Sequence, residues 1–174
     1  MASLALICYC TSCNSKPEGG LSATAQKNLD ANHGIVQCFD SKDFSKLGDY
    51  IAADAVDHSG DNGDIKGLDS IKAALTKEMA GIDGMKTEYI KELADDDYVM
   101  SWEHFTGTVK TPMMGLKAGD KFDMQEIEVS KYKDGKAVEH WSMMEPAQLM
   151  KLMGPMAPPM TMPAMPADSS KMKK

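Results

Sequence analysis

The stretch Lys131-Tyr-Lys-Asp-Gly-Lys-Ala-Val-Glu-His-Trp141 decides the fold. Asp134-Gly135 stands between two strand-like runs, residues 122–132 and 136–144, and Asp-Gly suits a two-residue turn whose central positions both need positive φ. A β-hairpin is predicted there. Side chains alternate along a strand, so Phe122, Met124, Glu126, Glu128, Ser130 and Tyr132 share one face, while Asp123, Gln125, Ile127, Val129 and Lys131 share the other. Two carboxylates therefore point the same way, and His140 closes the second strand.

Working outward, the period of two continues upstream through Tyr98 to Val109 and Thr87 to Leu93, with Asp95-Asp-Asp97 as the turn between them. Before Met85 the period is helical. Leu68, Ile71, Leu75 and Met79 repeat at three to four residues and form one apolar stripe. A long first helix is expected from Leu21 to about Lys46, interrupted near Gly34, and a short second one over residues 44–53. Asp54 to His58 reads as extended chain before the Ser59-Gly-Asp-Asn-Gly63 loop, and residues 146–153 as a short closing helix. Helices first and an antiparallel meander afterwards give an α+β fold, with helices packed on one side of a curved sheet.

The 174 residues accommodate one domain, residues 21–154, between a leader and tether over 1–20 and a tail over 155–174. The tail holds five prolines and five methionines without periodicity and is expected to be disordered. Its Met156, Met160, Met162 and Met165 have thioethers suited to Cu(I), but no His or Cys joins them, so a plain extension is the simpler reading. Net charge is −7 with a pI near 5.0, which argues against a nucleic-acid partner. All 19 basic residues are lysines, and the lack of arginine removes bidentate recognition of phosphate.

Cys8, Cys10 and Cys13 crowd the leader and only Cys38 lies in the domain, so a disulfide framework is not expected. Three close cysteines alone lack the ligand count of a structural zinc site. Leu4 to Tyr9 is too short to span a bilayer, and Thr11-Ser12-Cys13 resembles a relaxed lipoprotein cleavage site. This makes Cys13 the candidate membrane tether and a bacterial cell envelope the expected location; without a functional signal the chain is cytoplasmic.

Asp57-His58, Gly67-Leu-Asp-Ser-Ile-Lys72, Gly107-Thr108, Gly115-Leu-Lys-Ala-Gly119, Asp134 to Trp141 and Gln148 to Gly154 together resemble the SnoaL-like polyketide cyclase family of the nuclear-transport-factor-2-like superfamily. The resemblance runs from about Asn32 to Gly154. It implies a cone-shaped α+β fold, with N-terminal helices on the concave side of the sheet around a deep apolar pocket, often in a homodimer. It also implies ring closure of a small carbonyl compound without metal or organic cofactor. Carried over by position, Glu128 is the general base, His104 donates to a developing enolate, and His58 lines the pocket. Trp102, Glu126, Tyr132 and His140 are the candidate ligand-binding residues. The chain departs from the family at Val109, where members often carry a histidine after Gly-Thr, and at Lys131, where they carry arginine.

Three readings stand at this point. One is a cofactor-free cyclase or isomerase acting by proton abstraction on a small apolar carbonyl compound. The second is a non-catalytic, envelope-tethered protein that binds a small hydrophobic ligand. The third is an assembly module using the exposed sheet face as a dimer surface. Fold alone does not choose among them.

Overall fold

A computed structural model describes residues 20–60, 62–113 and 115–153. The leader with Cys13 and the Met/Pro-rich tail lie outside the described residues.

Helix α1, Ala23–Ser41, begins where the Ser22 hydroxyl accepts the Ala25 N–H at 3.0 Å and ends at Lys42, whose φ is +56°. It runs unbroken through Gly34, contrary to the expected interruption. Gly34 is there for packing: a Cβ at that position would lie 2.4 Å from the Tyr50 ring. The second helix is also shorter than expected. Only Leu47–Tyr50 is helical (α2), and Ile51–Asp57 is strand β1. This short apolar segment fits either period, and pairing with an open sheet edge overrides local preference.

After β2 (Ile65–Lys66) and α3 (Leu68–Ala80) come β3 (Ile82–Ala94), β4 (Tyr98–Val109), β5 (Lys121–Lys133) and β6 (Lys136–Met144), then α4 (Pro146–Met153). The six strands form one curved sheet in the order β2-β1-β6-β5-β4-β3. All neighbours are antiparallel except β1 and β6, which run parallel. The predicted hairpin is present, with φ of +56° at Asp134 and +80° at Gly135. Its turn is strapped to α1 by Lys27, whose Nζ donates to the Asp134 carbonyl at 2.8 Å.

Helix α1 crosses β3, β4 and β6, and α3 packs on β1 and β3. Between helices and sheet lies the core, where Leu47, Val99 and Val109 are sealed with Ile71, Met79, Ile82 and Phe122. The strand residues facing this side are the odd-numbered ones of β4 and the even-numbered ones of β5. Among the described residues no helix is long and apolar enough to cross a membrane.

Candidate functional site

The apolar core fills only part of the concave face. Beyond Phe105, Met124 and Phe122, three consecutive rungs of the sheet carry polar residues. The first reads Tyr89, Glu103, Glu126, Met144 across β3 to β6; the second Glu92, Ser101, Glu128, Ser142. The third reads Ala94, Val99, Ser130, His140 and, on β1, Asp57. Strand periodicity and register thus gather Asp57, Glu103, Glu126 and Glu128 with one imidazole, while Glu92, the fifth carboxyl of these rungs, lies on β3 and bonds His33 of α1 at 2.8 Å.

The hydrogen bonds run in a chain. His140 Nδ1 lies 3.1 Å from Asp57 and Nε2 lies 2.7 Å from Glu128. With a carboxylate on each ring nitrogen, both nitrogens donate and the ring is an imidazolium. Burial opposes that charge, but the hydrogen bonds to Asp57 and Glu128 outweigh it and hold the His140 pKa up at about 10. Burial likewise opposes ionisation of Asp57, yet the bonds from His140 and Ser59 carry its pKa down to about 2. The ion pair remains within reach of solvent, since the His140 side chain is 33% exposed.

Past Glu128 the chain changes character. The Ser142 hydroxyl lies 2.9 Å from Glu126 and 3.0 Å from Glu128. A hydroxyl carries one proton, so it donates to one carboxylate and accepts from the other only if that carboxyl is itself protonated. Burial, followed by the neighbouring Glu128 charge, raises Glu126 to about 7, so this second proton belongs on Glu126. A carboxyl poised near neutrality serves equally as base and acid.

Glu103, opposite Glu126 on β4, is 2% exposed. Burial lifts its pKa to about 7 as well, against a hydrogen bond from Ser101. Ser101 in turn accepts from Asn32 of α1 at 3.3 Å, and Asn32 accepts from the Tyr132 hydroxyl at 3.0 Å.

Of the residues expected from sequence, the structure brings Glu126, Glu128 and His140 together on the concave face. Tyr132 shares that face but is sealed beneath α1. Trp102 and His104 do share a face, as expected, but it is the outer one. His104 sits between Asp123 at 2.9 Å and Glu88 at 3.7 Å, while Trp102 is 44% exposed. His58 also turns outward, stacking on Trp141 with ring centroids 4.9 Å apart and bonding Asp64 at 2.9 Å. Its neighbour Asp57 faces the site instead. Sequence reasoning missed Asp57, Glu103 and Ser142. Glu103 carries a legible signal, because Val99, Phe105 and Val109 share its parity; Asp57 depends on the β1–β6 pairing, which no local pattern encodes.

With the geometry in hand, the profile of SnoaL-like polyketide cyclases matches residues 30–152 of the chain. No curated protein matches the sequence. Among solved structures, TsrD from Streptomyces laurentii superposes with a TM-score of 0.63 at 17% identity, over 78% of this chain and 98% of its own. A SnoaL-like polyketide cyclase from Agrobacterium tumefaciens gives 0.63 at 18% identity, over 73% and 98%. An epoxide hydrolase from M. tuberculosis gives 0.60 at 13% identity, over 74% and 90%. At these identities the likeness is one of fold.

Proposed function

Since this chain belongs to the SnoaL-like polyketide cyclase family, we propose that it closes a ring in, or shifts a proton within, a small apolar carbonyl compound, with Glu126 as general base. The observation that carries this reading is the single Ser142 hydroxyl shared by Glu126 and Glu128. It supports a carboxyl that exchanges its proton near neutral pH beside one locked in an ion pair.

In the proposed step the Glu126 carboxylate takes a proton from the carbon next to a carbonyl, leaving an enolate. The enolate carbon then attacks a second carbonyl of the same molecule, and the alkoxide so formed recovers the proton from the Glu126 carboxyl. Glu128, the base expected from sequence, becomes a positioning residue: it raises the basicity of Glu126 and anchors Ser142. The His140 imidazolium compensates its charge, which keeps two adjacent carboxyls tolerable on one face. Three glutamates and no arginine disfavour phosphate- or carboxylate-bearing substrates. The partly buried Phe105 and Met124 beside the carboxyls suit a hydrophobic body.

Deuterium incorporation from D₂O into a panel of small apolar ketones and β-keto esters tests the reading. The expected result is exchange by the native chain, reduced ~10²–10⁴-fold in Glu126→Gln, the range for loss of a general base. Ligand binding without exchange would overturn the catalytic reading in favour of a non-catalytic pocket; undiminished exchange in Glu126→Gln would overturn the assignment of the base.

A further inference from the structure

Helix α1 covers part of the carboxyl rungs, and its two halves are held in different ways. Over residues 23–33 the buried side chains are Ala25, Asn28, Ala31 and Asn32, none of them a large hydrophobe, with Leu29 half-buried at the flank. Polar ties do the holding instead. Lys27 Nζ donates to the Asp134 carbonyl at 2.8 Å, Asn28 Nδ2 to the Asp96 carbonyl at 3.0 Å and Asn32 Nδ2 to the Ser101 hydroxyl at 3.3 Å, while His33 Nε2 lies 2.8 Å from Glu92. Water replaces ties of this kind at small net loss, whereas buried apolar area has no such substitute.

From Gly34 onward the helix is anchored. Ile35, Cys38 and Phe39 pack on the core, Phe39 meets Phe44 edge to face with centroids 5.8 Å apart, and the Tyr50 ring closes against Gly34 itself. Glycine tolerates departure from helical dihedrals better than any other residue and is a weak helix former. Gly34 thus divides a clasped half from an anchored one, with an aromatic ring as the fulcrum.

What lies beneath the clasped half gives opening a purpose. Ser101 and Glu103 are sealed there, and two buried side-chain atoms of this seam, Asn28 Oδ1 and Tyr89 Oη, have no hydrogen-bond partner among the described residues. Tyr89 stands opposite Glu103 in the β3–β4 register, and its ring packs 5.0 Å from that of His33. Closure therefore leaves a hydroxyl and an amide oxygen unanswered, a cost that opening relieves. Nor do the hollows of the closed form reach the carboxyls. Two, of about 360 and 320 Å³, open at the β3 edge and beside the start of α3, and neither is lined by Glu103, Glu126 or Glu128.

We propose that residues 23–33 of α1 form a lid that swings on Gly34 against Tyr50 and admits solvent and ligand to the rungs around Glu103. The motion does not depend on which reaction the carboxyls perform, so its failure and that of the Glu126 assignment are separately visible. The test labels the full chain with a carbodiimide and glycine ethyl ester, which modify carboxyls that solvent reaches, and reads Glu103 by mass spectrometry. A second chain carries Lys27→Met and His33→Phe, which keep the stem and the ring but remove two ties made by exposed side chains. Hydrogen exchange of α1 and of the β4–β5 ladder is followed in both chains. The expected result is a Glu103 less protected than the ladder amides in the native chain, and labelled about tenfold faster in the double variant with the ladder unchanged. Amides of residues 26–33 should open together with Glu103 while those of 36–41 stay protected. Glu103 protected as strongly as the ladder in both chains would overturn the lid, since only global unfolding would then expose it. Equal labelling of Glu103 in both chains would overturn the role of the ties. The native chain also decides the matter without the variant: equal protection of the two halves of α1 would overturn the hinge at Gly34.

Discussion

Ser142 sits between two carboxyls with one proton to give, and much of the site's chemistry follows from that shortage. When Glu126 ionises the hydroxyl can swing its proton from Glu128 to Glu126, so Ser142→Ala removes a donor that favours the ionised form, and Glu126 should titrate at higher pH. Glu128→Gln deletes a neighbouring charge, so Glu126 should titrate lower. Carboxyl-resolved NMR reads both, and shifts of the same sign would contradict the arrangement. His140 supplies the opposite constraint: without it, Asp57 and Glu128 face each other uncompensated, and His140→Gln should cost about 1–3 kcal/mol in a denaturation series. At this scale sequence reading was half sufficient. Alternation correctly placed Glu126 and Glu128 together, and Trp102 with His104, but parity does not say which face is inside. Both faces of β4 carry apolar residues, Val99 and Val109 inward and Met100 and Trp102 outward, so the hydrophobic pattern could not break the tie.

Among the elements, the β5–β6 hairpin positions the site, because it sets Glu126 and Glu128 against Ser142 and His140. Gly135 holds the turn at a φ of +80°. Gly135→Ala should destabilise the protein by about 1–2 kcal/mol, the price of a Cβ in the left-handed region. The added Cβ also meets the Lys27 stem 2.2 Å away, which displaces the strap from α1. A melting temperature unchanged from the native chain would contradict that view of the turn. The hairpin was legible because its turn chemistry is local. β1 was legible only in part: Asp54 to His58 reads as extended chain, but Ile51 to Ala53, where the short helix was expected to end, also joins the strand that pairs in parallel with β6, a partner about eighty residues away. Gly34 misled for a related reason, since a glycine chosen to admit the Tyr50 ring looks in sequence like a helix break.

For the whole molecule, the site predicts an acid-shifted stability profile. Glu103 and Glu126 titrate higher in the folded chain, at about 7, than their ordinary 4.5, so their contribution is full below 4.5 and is lost as pH rises through about 7. His140, raised from 6.5 to about 10, contributes fully below 6.5 and loses its share as pH rises through about 10. Asp57, lowered from 3.8 to about 2, acts in the other direction, contributing above 3.8 and failing as pH falls through about 2. Stability should therefore be greatest near pH 4–5 and fall by on the order of a few kcal/mol by pH 8. Urea midpoints read this directly, and a midpoint higher at pH 8 than at pH 5 would contradict it. The family's scaffold thus holds a buried acidic network whose tolerance depends on shared protons. The most direct test of that claim is the carboxyl titration of Glu126 in the native chain, followed by ¹³C NMR with Glu126→Gln for assignment. The account predicts a midpoint near 7 that drops in Glu128→Gln; a midpoint at the ordinary 4.5, unmoved by that substitution, would contradict it.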